Sequence, residues 1–255
     1  MGKFDGILLI SDIDGTLTYN EKLSDENADA IKYFQQNGGY FSIATGRQPE
    51  YIREFYPRLI PNAPIIAING AVVYDLVSGK TMFCRTIGKE VTAIVDYIHN
   101  NYPQIFHIEA KGAKNTFLWK KGDAFSAQDF GFEKEIFSKV LLVTESEECA
   151  LALQKDLRNR FPDFSYIRSW SVSLEIMPKG AGKGELISHI TSTIPIRRVV
   201  AAGDHENDIS LMKYADTGYA VGGSFLASLG ITDRTACKCE ENVIEYIIRD
   251  IEKEI

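Results

Sequence analysis

Two aspartates separated by one residue, Asp12 and Asp14, stand just after the apolar run Ile7-Leu8-Leu9-Ile10. In extended backbone, residues two apart share a face, so the two carboxylates converge on one point. Like charges that close resist ionising together unless a cation or added protons compensate, which implies a divalent metal and acid–base work. Two more polar segments follow strand-like runs far along the chain, Ala44-Thr45-Gly46-Arg47 and Gly203-Asp204-His205-Glu206-Asn207-Asp208. Together with Lys183 they supply the parts of a phosphoryl-transfer site. Asp12 is the candidate nucleophile, forming and then losing an aspartyl-phosphate. Asp14 is the candidate general acid for the leaving oxygen and then general base for the attacking water. Gly15 permits a tight turn and is expected to present its amide to the phosphate. Phosphoryl transfer is mostly positioning and charge neutralisation, and the Thr45 hydroxyl, the Gly46 amide and the Lys183 ammonium are the expected donors. Asp204 with Asp12 is expected to hold Mg²⁺ through oxygen atoms, several waters remaining, with Asn207 or Asp208 completing or orienting that shell. Oxygen-only donors favour Mg²⁺ over a softer metal.

Positioning these residues requires strands whose ends meet. The run at Ile7 lacks alternation, which fits a parallel strand covered on both faces. Ser24 and Asp25 offer an N-cap ahead of Ala28, Ile31 and Phe34, which have helical spacing, and Asn37-Gly38-Gly39 supplies the stop. A strand over Tyr40–Ala44, a helix over Pro49–Tyr56 and a strand over Ile65–Ile68 follow, the last ending at Asn69-Gly70-Ala71. This alternation predicts an α/β fold with a Rossmann-like parallel sheet and right-handed crossovers. Ligands bind outside the carboxyl ends of such strands, where Asp12, Thr45, Asn69 and Asp204 all fall. Between about Cys84 and Met177 the rhythm changes. A helix carrying Val91, Ile94, Val95 and Ile98 precedes strand-like runs at 105–110, 116–120, 139–144, 164–169 and 172–177, predicting an inserted α+β domain. The expected division is 1–84 with 179–255 for the core and 85–178 for the insertion, with hinges near 83–86 and 177–181. The α/β pattern resumes with a helix from Lys183 to about Ile194, the strand Val199–Ala202, a helix containing Ile209 and Met212, and a last helix from about Glu241.

The chain has 255 residues, 45% hydrophobic and 25% charged, enough for one large domain or a domain with an insertion. Its formal charge of -7, from 28 basic and 35 acidic residues, argues against a nucleic-acid binder, because phosphate-backbone affinity rests on clustered Lys and Arg. No apolar run approaches membrane-spanning length, so no membrane partner is expected. The four cysteines, Cys84, Cys149, Cys237 and Cys239, are scattered and read as reduced thiols of a cytoplasmic protein. Cys237-Lys238-Cys239 lacks a second Cys or His pair for a tetrahedral site.

The ordered set of segments resembles the haloacid dehalogenase superfamily, and the place of its insertion resembles the Cof-type sugar-phosphatase branch. Asp12 and Asp14 match the D-x-D-G-T-L motif, Thr45 the second motif, Lys183-Gly184 the third, and Asp204 with Asn207-Asp208 the fourth, G-D-x-x-N-D. Asn69-Gly70-Ala71 matches the N-G-A segment of that branch. The resemblance implies that the metal takes the Asp12 side chain, the Asp14 backbone carbonyl and Asp204. It also implies a C2-type cap, since the insertion falls between the second and third motifs, and disfavours a β-phosphoglucomutase-like reading. Lys179 also stands in the third segment, and Lys183 is favoured because it opens a helix.

Each feature has a plainer reading. The D-x-D-G segment alone fits a turn, and an EF-hand is ruled out by missing ligands at the later positions. Gly180–Gly184 lacks the first Gly and the Ser or Thr of a P-loop. Arg47 is a candidate substrate contact, although an arginine just past a strand commonly pairs with carboxylates. His205 is a candidate supporting group beside Asp204, whereas His99, His107 and His189 read as structural or solvated. Trp119 and Trp170 read as packing. Glu175, where the insertion re-enters the core, is a candidate for facing substrate, under a cap that opens and shuts to exclude water. The expected function is Mg²⁺-dependent hydrolysis of a small phosphorylated metabolite, such as a sugar phosphate. The alternatives are a phosphomutase of the phosphomannomutase kind, a dedicated phosphatase of a sugar-acid phosphate, and a catalytically idle phosphate-binding module. Oligomeric state leaves no mark in the sequence.

Overall fold

The computed structural model describes residues 2–112, 116–131 and 137–255. The chain divides into two compact units, Met1–Phe83 with Gly182–Ile255, and Cys84–Ala181. The first is the α/β unit predicted from the alternation of elements. Its sheet runs Arg234–Thr235, Thr217–Ala220, Arg198–Gly203, Ile7–Ser11, Tyr40–Ile43, with every pairing parallel. Ile65–Ala67 follows beyond Tyr40–Ile43 through a parallel bridge between Ala44 and Ile66, and turns back into the antiparallel strands Val72–Asp75 and Lys80–Cys84.

Ile7–Ser11 is buried along its whole length, which is why its sequence shows no alternation. Leu8 and Ile10 join a core with Ile187, Ile190, Leu211 and Met212 from the helices Ile187–Thr191 and Ile209–Tyr214. The helices Asp25–Gln36 and Val243–Glu252 pack against each other. The first starts where its cap signal stands, the Ser24 hydroxyl accepting from the Asn27 amide at 3.2 Å. The expected Lys183–Ile194 helix is instead a 3-10 turn over Gly184–Leu186 followed by the short helix Ile187–Thr191. Gly184 backs directly onto Ser210, whose hydroxyl accepts from the Gly184 amide at 3.0 Å, and this close contact sets the tighter geometry.

The second unit is α+β. Its antiparallel sheet runs Thr116–Lys120, Ile105–Gly112, Phe137–Thr144, Ser173–Pro178, Phe164–Ile167. Val91, Ile94, Val95 and Ile98 from Val91–Asn101, and Leu153 and Leu157 from Glu147–Arg160, cover one face of it, over Ile108, Val140, Leu142, Leu174 and Ile176. No helix among the described residues is long and apolar enough to cross a membrane.

One buried side chain ties three segments of the first unit together. Asn27 donates to the Leu17 carbonyl at 3.1 Å, and its carbonyl oxygen accepts from the amides of Ile244 and Glu245, both at 3.1 Å. It thereby serves two of the unpaired amides at the start of the last helix. Asn27→Ala leaves these groups without partners in a dry setting and is expected to destabilise the protein by about 2–4 kcal/mol, read by urea unfolding. A change below about 0.5 kcal/mol, as for an ordinary surface substitution, would contradict this account.

Candidate active site

Lys183 is the centre of the site and has no solvent-exposed surface. Its ammonium donates to Asp12 Oδ1 at 2.7 Å and to Asp208 Oδ1 at 2.6 Å. Asp12 follows the Ile7–Ser11 strand, and its amide donates to the Ala202 carbonyl of the neighbouring strand at 3.0 Å. Asp208 Oδ2 accepts from the amides of Asp204 and His205, at 3.0 and 3.1 Å. Both oxygens of Asp208 are therefore engaged in folding the loop after Arg198–Gly203. Asp204 is held on its own side by the Thr16 hydroxyl, which donates to Oδ1 at 3.0 Å. Gly15 has φ of +85°, and a Cβ there would lie 2.7 Å from Asp204 Oδ2, so the first and fourth segments touch only because this residue has no side chain. Its amide, expected at the phosphate, instead donates to the Thr18 carbonyl at 3.1 Å, because the chain reverses at once. Gly15 thus provides the turn and the close approach.

Thr45 is buried. Its backbone amide donates to the Ile66 carbonyl at 2.9 Å, and its hydroxyl oxygen accepts from the Arg47 amide at 3.1 Å, which leaves the hydroxyl proton for another partner. Gly46 lies against Asn69. Asn69 adopts left-handed backbone, φ 47°, within a 3-10 turn over Ile68–Gly70, and its side-chain oxygen accepts from Asn207 Nδ2 at 3.2 Å. Gly70, φ +88°, lets this turn sit against the backbone ahead of Lys183, since a Cβ there would lie 2.0 Å from the Gly182 carbonyl oxygen. The structure therefore gathers Asp12, Lys183, Asp204 and Asp208, with Thr45, Gly46, Asn69 and Asn207 on the adjoining loops. Asp14 lies at the rim, where Arg47 grips its carboxylate. Lys179 belongs to the inserted unit and is exposed, paired with Asp163. Glu175 also belongs to that unit, where its buried carboxylate accepts from Lys139 at 2.9 Å and from Ser169 at 3.1 Å. The sequence reading missed Thr16, although its place two residues after Asp14 was a usable signal. It also missed Tyr51, which bears on Arg47 and carries no signal of its own.

Asp12, Asp204 and Asp208 offer carboxylate oxygens within 4.8 Å of one another. Burial pushes Asp12 well above the usual carboxylate range; the Lys183 charge opposes this, and Asp208 and Asp204 reinforce it. Burial and then Asp208 push Asp204 up to about 7. Burial works against the Lys183 charge, but Asp12 and Asp208 outweigh it and hold the ammonium above the ordinary lysine range. One ammonium cannot neutralise three crowded carboxylates. A hard divalent cation on oxygen donors supplies the missing charge, so the residues fit a metal of that kind. All four cysteines are free thiols, and His205 caps the loop with its ring 5.3 Å from Phe225.

A family model of haloacid dehalogenase-like hydrolases matches residues 9–227. The chain belongs to that family. Among curated relatives in it, 5-amino-6-(5-phospho-D-ribitylamino)uracil phosphatase YitU of Bacillus subtilis (strain 168) is 24% identical, over 95% of this chain and 96% of its own. The similarly named YcsE of the same organism is 25% identical, over 85% and 84%. Among solved structures, BT1666 from Bacteroides thetaiotaomicron aligns with a TM-score of 0.81 at 19% identity, covering 99% of this chain and 97% of its own. The HAD subclass IIB sugar phosphatase BT4131 aligns at 0.79 and 19%, covering 96% and 98%. At such identities the structural likeness speaks to the fold, a haloacid dehalogenase-like core with an inserted α+β unit. The resemblance to the Cof-type branch holds, and the chain is a phosphatase of this family.

The charge imbalance sets a pH dependence. A carboxyl whose proton affinity rises on folding contributes stability below its unfolded-state pKa, and that contribution is lost as pH rises through the folded value. For Asp204 the loss is complete only above about 7. Metal-free protein is therefore expected to unfold at a lower temperature at about pH 8 than at about pH 5, and a divalent cation to reverse the loss. Thermal unfolding in EDTA across that range, repeated with Mg²⁺, is the measurement. A midpoint flat in EDTA and indifferent to the cation would contradict the charge assignment.

Proposed function

We propose that this chain hydrolyses the phosphomonoester of a small phosphorylated metabolite, a sugar phosphate or a related compound, with Mg²⁺ and through an aspartyl-phosphate on Asp12. The observation that carries this reading is the fully buried Lys183 ammonium, 2.7 Å from Asp12, at the carboxyl end of a parallel sheet. An oxygen of Asp12 attacks phosphorus and the bond to the leaving oxygen breaks, while Asp14 transfers its proton to that oxygen, releasing an alcohol. Asp14, now a carboxylate, takes a proton from the water that attacks phosphorus, and the Asp12–phosphoryl bond breaks to give inorganic phosphate. Lys183 offsets charge on the phosphoryl oxygens, and Thr45 donates its remaining hydroxyl proton to one of them. Asp12 and Asp204, with the Asp14 backbone carbonyl, would hold Mg²⁺, whose charge screens the attack of a carboxylate on an anionic phosphate. Asp208 then acts by anchoring Lys183 and the Asp204 loop, and Asn207 by bracing Asn69.

The substrate class is supported by relatives named as phosphatases of a phosphorylated ribitylaminouracil and of sugars. Four free thiols suit a cytoplasmic setting. The test is phosphate release from p-nitrophenyl phosphate and a panel of sugar phosphates, with Mg²⁺ or EDTA, for wild type and Asp12→Asn. Release is expected to need the metal and to fall by about 10³-fold or more on the substitution, which removes the nucleophile. Release from no compound, or release that survives the substitution, would overturn the reading.

A further inference from the structure

Arg47 was expected to touch substrate, but its side chain is engaged by the protein. Nε donates to Asp14 Oδ2 at 2.9 Å and Nη2 to Asp14 Oδ1 at 3.0 Å, so each carboxylate oxygen accepts one bond from the planar fork. The guanidinium carbon lies 4.2 Å from the ring centre of Tyr51, which stands on the helix Pro49–Phe55 and backs the fork from one face. Glu21 approaches Nη2 at 3.6 Å. The backbone is pinned at both polar groups, the amide donating to Thr45 Oγ1 and the carbonyl accepting from the Ile68 amide, each at 3.1 Å. A part-exposed ion pair of this kind stabilises a fold little. Its worth is geometric, because a two-pronged, stacked fork fixes both the direction and the plane of the carboxylate.

We propose that Arg47, backed by Tyr51, is the positioning residue that holds Asp14 as the general base for breakdown of the aspartyl-phosphate. The inference rests on the phosphatase reading and deepens it. The fork holds both carboxyl oxygens and leaves a lone pair free on each, so Asp14 is aimed at the attacking water without being released from Arg47. In the first half-reaction the protonated oxygen gives its O–H to the leaving group while its lone pair still accepts from the fork. In the second both contacts persist, while a remaining lone pair receives the proton of water. Arg47 therefore orients Asp14 in both half-reactions, and its effect stands alone in the second, the step common to every substrate, when the leaving group needs no proton.

A substrate whose leaving group needs no acid separates this proposal from a phosphate-binding or merely structural one. The p-nitrophenolate group departs without a proton, so its phosphoryl transfer to Asp12 needs no help from Asp14, whereas the attack of water does. With p-nitrophenyl phosphate and Mg²⁺, Arg47→Ala is expected to lower kcat by about 10- to 100-fold. A stoichiometric burst of p-nitrophenolate should remain, and intact mass after acid quench should show a trapped phosphoryl-enzyme. Asp14→Asn should do the same, and adding Arg47→Ala to it should cost nothing further. Arg47→Lys, which keeps the charge but lacks the fork, should behave like Arg47→Ala, and added guanidinium ion should speed turnover of the alanine variant. Tyr51→Leu, which leaves the ion pair intact, should give a weaker burst of the same kind. A rise in KM alone, or a fall in kcat with neither burst nor trapped phosphoryl-enzyme in these variants, would overturn the proposal. Wild type that releases no phosphate, or releases it without Asp12, would instead overturn the phosphatase reading beneath it.

Discussion

An ammonium removed from water must be surrounded by anions or lose its charge, and Lys183 is wholly buried. That requirement joins three places in the chain. Asp12 must end the first strand, Asp208 must fold back beneath the fourth segment, and the backbone ahead of Lys183 must press against the Asn69 turn. Asp208 then answers to two demands, because the oxygen that does not face Lys183 fastens the amides of Asp204 and His205. The loop bearing Asp204 is thus shaped by the same carboxylate that makes the buried lysine tolerable. Breaking such a pair from one side strands the other charge and is far more damaging than the pair is stabilising.

The surplus of negative charge left by this arrangement is chemical capacity rather than a defect. Pairing every carboxylate internally would leave nothing for a cation to bind. Leaving Asp12 and Asp204 underneutralised costs stability without a cation, and a hard ion held there would offset that cost. Asp14, two residues along, avoids this competition by lying at the rim with its own arginine. The two aspartates therefore differ in environment although they are neighbours in sequence, which is the usual way two carboxyl groups come to divide two roles.

Much of this was legible because the governing rules are local. An apolar run without alternation announced the first strand, a serine announced the helix after it, and the order of strand ends placed Asp12, Thr45, Asn69 and Asp204 on one side of a sheet. What could not be read depends on contacts between distant residues. The grip of Arg47 on Asp14 spans 33 positions and has no periodic signature. The amide of Gly15 is used by Thr18 because of a reversal that the motif does not spell out. The helix expected from Lys183 tightens at its start because Gly184 abuts Ser210. The helix Glu147–Arg160 went unnamed for a different reason, since its buried positions Ala150, Leu153, Gln154 and Leu157 include a polar residue that blurs its face, even with Ser146 in place as a cap.

The sheet order has a consequence for synthesis. Ile7–Ser11 is flanked by Tyr40–Ile43 on one side and by Arg198–Gly203 on the other, so one edge of the first strand made lacks its partner until most of the chain has left the ribosome. The inserted unit is continuous in sequence and has its own apolar core, so it emerges entire before the last strands of the other unit exist. A nascent chain thus carries a bare edge of a largely apolar strand through the making of the insertion, the kind of exposure that invites mispairing between chains. The discontinuity that brings Lys183 to Asp12 makes the end of the chain a condition for protecting its beginning.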